Sequence, residues 1–168
     1  MSDYNKRESV FKRFYEDLGR KRDLIEDVQL GETYTRVLDE YNHCMEVEEY
    51  IVSFLLIQNL LEDRVYVLYK YVYEFKKKQV GFEVNQSLST YHKHDSFWEI
   101  ITQMNKWGMI KSELFSNLLR CNDIRNKQIH YSFMDIDSFD KELSESYYQL
   151  FREVDGLVKK FKRGTRLF

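Results

Sequence analysis

No proline occurs anywhere in the 168 residues, and the six glycines (Gly19, Gly31, Gly81, Gly108, Gly156, Gly164) are scattered along the chain. Proline costs a helix interior about 3 kcal/mol and glycine about 1 kcal/mol, so little interrupts long helices here. Scattered glycines also build no phosphate-cradling loop. The apolar spacing asks for helices as well. From about 35 to 79, Val47, Ile51, Phe54, Leu61, Val65, Leu68 and Val72 recur at intervals that share one helical stripe. This predicts one long amphipathic helix, ending near Gly81 after "KKKQ", where cations suit a helix C-terminus.

The boundaries that follow are marked by caps. Ser96 and Glu99 have the spacing of a capping box, and Phe97, Ile101, Met104 and Trp107 carry a helix that Gly108 stops. Ser112 is a suitable N-cap for a helix over 113–131. After a turn at "MDIDS", Phe139, Leu143, Tyr147, Phe151, Val154, Val158 and Phe161 form a last amphipathic helix, capped by Asp137 or Ser138 and ending before Gly164. One or two further helices are expected in the first 34 residues. The expectation is a single all-α domain over 1–168, a bundle of four to five helices. Residues 1–35 read as an N-terminal extension, and 80–95 as the main connection.

Composition narrows the class. A 43% hydrophobic, 16% aromatic chain can bury one substantial core, and a formal charge of −2 argues against a uniformly basic nucleic-acid coat. Any anion-binding surface must be local. "MSDYNKRESVFKRFYED" is charged from the start, and Cys44 and Cys121 form no CxxC pair, which points to a reducing, cytoplasmic setting. The longest apolar run, "IVSFLLIQNLL", is too short to span a bilayer and contains Gln58 and Asn59, so no membrane is expected. His92 and His94 form an H-x-H and His43 adjoins Cys44, but nothing completes a zinc site; no metal or other cofactor is expected. The thiols read as packing residues.

One helix breaks its own pattern. In "LFSNLLRCNDIRNKQIHYSF", with Leu114 at zero and about 100° per residue, Leu118, Ile129 and Phe115 fall between about 40° and 100°, defining an apolar face. Arg125 lies at about 20°, Asn122 near 80°, Asn126 near 120° and His130 near 160°, while Ser116, Arg120, Asp123 and Lys127 already supply a solvent face. An arginine in an apolar stripe must be ion-paired, solvated by a groove or set against another subunit. Glu62 and Asp63 are the candidate partners for a purely structural pair.

The local spelling "RNKQIH", at the end of a late helix that follows a "WGMI" turn, resembles the motif of the HEPN superfamily (higher eukaryotes and prokaryotes nucleotide-binding domains). That motif is Arg, four to six residues, then His, commonly with a polar residue straight after the Arg. Arg125, Asn126 and His130 match it residue by residue, and the resemblance covers about 37 to 163. It implies a HEPN-like helical bundle and a homodimer whose two motifs line one cleft. It also implies a metal-independent endoribonuclease, often a toxin or antiviral effector, acting on RNA such as tRNA or mRNA and held in check by an antitoxin or other regulatory protein. In such chemistry the ribose 2′-hydroxyl attacks the adjacent phosphorus, the bond to the 5′-oxygen breaks, and the proton passes from the nucleophile to that leaving oxygen. The products are a 2′,3′-cyclic phosphate and a 5′-hydroxyl. The resemblance implies that His130 moves the proton, Arg125 neutralises phosphoryl charge and Asn126 orients the site, with Asn122, Lys127 and Tyr131 in RNA-binding or supporting places.

Two features complicate that expectation. Residues five apart on an ideal helix point about 140° away from each other. Either the Arg125 stem reaches round, the helix distorts, or the cleft joins Arg125 of one subunit to His130 of the partner subunit. In the branch silenced by nucleotidylation a tyrosine stands two residues after the His; here that place is Ser132, and Tyr131 comes one early. The alternatives are a noncatalytic dimerisation or interaction module, in which Arg125 is a buried ion pair, and an RNA-binding protein without cleavage. Two basic runs bear on the last: "YKYVYEFKKK", which interleaves tyrosines with lysines, and "KKFKRGTRLF". Each also reads as a solvated helix end.

Overall fold

The computed structural model describes residues 27–79, 81, 97–131 and 138–162, with side chains from Gly31 in the first helix, to Lys127 in the fourth and to Phe161 in the last. Five helices account for nearly all of these: α1 (Asp27–Glu46), α2 (Tyr50–Lys77), α3 (Phe97–Lys106), α4 (Ser112–Tyr131) and α5 (Lys141–Lys162). The all-α fold with four to five helices is therefore present, and the described residues contain no strand.

The helix expected over 35–79 is two helices. The chain reverses at Val47–Glu49, where Glu48 takes a left-handed φ of 60°. The Glu49 N–H donates to the Cys44 carbonyl (2.8 Å) and the Glu48 N–H to the Met45 carbonyl (3.3 Å). This is a complete Schellman cap with glutamate in the seat that glycine usually takes. Val47, expected on the apolar stripe, is 45% exposed in the turn. A left-handed backbone costs a residue with a Cβ about 1–2 kcal/mol, part of which glycine would lose again to unfolded-state entropy. Glu48→Gly is accordingly expected to stabilise the protein by up to about 1 kcal/mol, read from urea midpoints.

The same motif stops α3: Met109 N–H donates to the Met104 carbonyl (3.0 Å) and Gly108 N–H to the Asn105 carbonyl (2.9 Å), with Gly108 at φ 67°. Met104 and Met109 are both buried, the apolar contact that accompanies such caps. Other caps differ from expectation. α4 begins at Ser112 itself, and the Lys111 carbonyl accepts its first hydrogen bond, from Phe115 N–H (2.9 Å). α5 is capped by Asp140, whose Oδ1 accepts the Leu143 N–H at 2.8 Å. A carboxylate on an orphan amide at the positive helix end explains that choice. Ser96, Asp137 and most of 80–95 lie outside the described residues.

α2 is the central element, burying residues from Ser53 to Tyr73. Its polar interior positions are used at crossings. Ser53 and Ser144, both fully buried, meet at 2.9 Å and let α2 and α5 approach. Phe54, also fully buried, lies edge to face with Phe139 (5.3 Å) and Tyr147 (4.7 Å). Further along, Arg64 pairs with Asp155 of α5 at 2.9 Å, its guanidinium 4.1 Å over the Tyr34 ring of α1. Tyr34 in turn donates to Asp63. At the far end Phe75 meets Phe161. These contacts rise in register, so α2 and α5 run parallel and α1 runs antiparallel to both.

Candidate functional site

α4 is placed by its two ends. Trp107, just before it, stacks on Tyr69 of α2 with ring centroids 6.0 Å apart. Arg125, near its C-terminus, reaches Glu62. α4 therefore runs antiparallel to α2, and its buried face is Leu114, Leu118, Cys121 and Asn122. The helical wheel anticipated Leu114, Leu118 and Asn122 on that face; it also put Phe115 there, which is only partly buried, and did not place Cys121.

Arg125 Nε lies 2.8 Å from Glu62 Oε1, the two side chains 33% and 19% exposed. Gln58 Nε2 donates to the same oxygen at 3.1 Å. The four-residue step from Gln58 to Glu62 puts both on one face of α2, so amide and guanidinium converge on one carboxylate. Gln58 was legible as a polar interruption of "IVSFLLIQNLL", but its role depends on what α4 brings opposite. Of the two candidate acids, Glu62 holds Arg125, whereas Asp63 faces Tyr34.

The Arg125 side chain meets Glu62 through Nε and is one-third exposed, so a tethered cation still faces solvent. Asn126 and Lys127, the two residues that follow, are exposed. The backbone continues as α-helix through His130 to Tyr131, so helix distortion is not how Arg125 and His130 could be brought together. The side chains of His130 and Tyr131 lie outside those described. The structure thus brings Arg125 to Glu62 and Gln58, buries Asn122 and leaves Asn126 and Lys127 on the surface.

A concavity of about 210 Å³ opens between α4 and α5. Cys121, Tyr147 and Leu150 floor it, and Arg120 and Glu153 are on its rim. It lies on the side of α4 away from Asn122 and Asn126, so the expected site residues do not line it. Its thiol is chemically quiet. Burial pushes Cys121 from 9.0 up to about 11, opposed by a hydrogen bond with Tyr147 and by the Arg120 charge. Burial, then the neighbouring Cys121, also drives the Tyr147 phenol well above its ordinary range.

An acid whose pKa is raised on folding favours the folded state below its unfolded value and weakens it as pH rises through the folded value. For Cys121 that window is pH 9 to about 11, where the difference corresponds to about 3 kcal/mol. Urea midpoints are expected to fall steeply across it, and less steeply in Cys121→Val. Alkylation of Cys121 at pH 8 should require unfolding.

Comparison of the chain with protein families, curated proteins and solved structures returns no match. Function therefore has to be argued from the site itself. Among the described residues no group of three or more His, Cys, Asp and Glu could hold a metal ion, and no helix is long and apolar enough to cross a membrane.

Proposed function

We propose that this chain is a metal-independent endoribonuclease of the HEPN type. It acts as a homodimer, cuts RNA by 2′-hydroxyl attack, and serves as a toxin or antiviral effector. The observation that carries the reading is the tethering of Arg125: a guanidinium held through Nε by Glu62 at 2.8 Å, yet one-third exposed. A phosphoryl-charge stabiliser has to be fixed before the reaction and still reach the substrate, and this arrangement supplies both. Asn126, exposed beside it, can orient the phosphate. His130, one further turn along α4, is the proton-transfer group. In this reading the roughly 140° between the two residues is bridged by the Arg125 stem or by pairing with His130 of the partner subunit.

The same contact favours a second reading, in which the Arg125–Glu62 pair only docks α4 on α2 and the surface around it is a noncatalytic interaction module. The test is incubation of purified protein with tRNA and total RNA in EDTA, with mapping of the ends. Cyclic-phosphate and 5′-hydroxyl ends are expected. A well-folded dimer that cuts no RNA would transfer the proposal to the interaction module. Glu62→Gln separates the two further. Both groups keep some solvent, so its stability cost should lie nearer the ~1 kcal/mol of exposed pairs than the ~3–5 kcal/mol of sealed ones. Cleavage, by contrast, should fall well beyond that cost if Arg125 must be held in place.

A further inference from the structure

The described parts of the two basic runs, far apart along the chain, come to the same place in the fold. Because α2 and α5 run parallel, their C-termini are neighbours, and Phe75 and Phe161 join them edge to face at 6.3 Å. Phe75 keeps 47% of its surface exposed. Lys76, Lys77 and Lys78 follow it at the end of α2, and Lys159 and Lys160 precede Phe161 on α5. Against these five lysines the last turn of α2 sets Glu74, while Asp155, which binds Lys159 at 2.6 Å, is shared with Arg64. Two helix C-termini carry about half a negative charge each, fewer than these cations would neutralise.

We propose that the joined C-terminal ends of α2 and α5 form a binding surface for single-stranded RNA, with Phe75 stacking on a base and these lysines holding phosphates. An exposed ring in a basic field suits unpaired bases, whose faces are open to stacking, better than a duplex. It suits a lipid surface less well. Membrane-seeking faces present a continuous apolar side, whereas in the last turn of α2 Phe75 is the one exposed large apolar residue among those described. The choice of RNA over single-stranded DNA rests on the ribonuclease reading. Phe75 shares a face of α2 with Arg64, toward α5, and Glu62 points the other way to α4. Binding here is thus separable from chemistry at Arg125.

The test is fluorescence anisotropy of the full chain with a labelled 2′-O-methyl oligouridine, which lacks the attacking hydroxyl and cannot be cut. Binding is expected to weaken with salt, with a log–log slope of about −2 to −3 if three or four phosphates are held. Phe75→Leu keeps an apolar contact with Phe161 but removes the stacking face; affinity should fall by about 5- to 100-fold. Lys77→Glu with Lys160→Glu should weaken binding further and flatten the slope. Unchanged affinity in both variants overturns the proposal, as does wild-type protein that ignores the oligonucleotide but binds phosphatidylserine vesicles. Binding without any RNA cleavage would sink the nuclease and leave this surface standing. Cleavage of tRNA without these losses would do the reverse.

Discussion

His130→Ala is expected to lower RNA cleavage by about 10²- to 10⁴-fold, the range for removing a proton-transfer group, or about 3–5 kcal/mol in the barrier. Helicity and dimerisation should stay at wild-type levels. α4 already forms its packing face with Leu114, Leu118, Cys121 and Asn122, before the position of His130 is reached. Alanine is moreover the best helix former, so the backbone loses nothing. The measurement is single-turnover cleavage of tRNA in EDTA, beside circular dichroism and size-exclusion chromatography. Full activity in the variant would end the mechanism. Arg125→Ala provides the contrast: it should cut cleavage similarly, yet it also takes the guanidinium away from Glu62 and costs some stability.

The largest structural effect is expected at Phe54→Ala. Phe54 has no exposed surface and packs between Phe139 and Tyr147, where α2 crosses α5. Truncating a buried phenylalanine costs about 3–5 kcal/mol, and the edge-to-face pairs add to the loss. Domains of this kind have only about 5–15 kcal/mol in hand, so the variant should be marginal at 37 °C. A fall in Tm of roughly 6–20 °C is expected by calorimetry, at 2–4 °C per kcal/mol for a chain of this length. A loss under about 1 kcal/mol would mean that this crossing is not the centre of the core.

The contrast between Gly108 and Glu48 shows where the sequence is legible. Both occupy the left-handed position of a Schellman cap, and both carry its two hydrogen bonds. Glycine advertises that conformation because it lacks a Cβ, so the end of α3 could be placed to a residue. Glutamate does not, and the apolar period continues through Val47 as though the helix did too. The turn at 47–49 is held by α1 packing back along α2, through Tyr34 on Asp63 and Arg64, against a local preference of about 1–2 kcal/mol. Similarly, the wheel of α4 anticipated that Asn122 is buried, but it left Arg125 to an ion pair, a groove or another subunit and offered Glu62 and Asp63 as equals.

What the sequence by itself determined is that the described chain is helical and which way most of its helices bury a face; it did not divide residues 27–77 into two helices. Those follow from a 3.6-residue period and from caps, which are properties of neighbouring residues. Only the tertiary structure decided what each face meets. It chose Glu62 over Asp63 for Arg125, set Gln58 on the same carboxylate, and ran α2 parallel to α5 so that Phe75 and Phe161, distant in sequence, meet. The physical reason is that a helical period reports the direction of burial, whereas a partner is selected by how helices distant in sequence fit together.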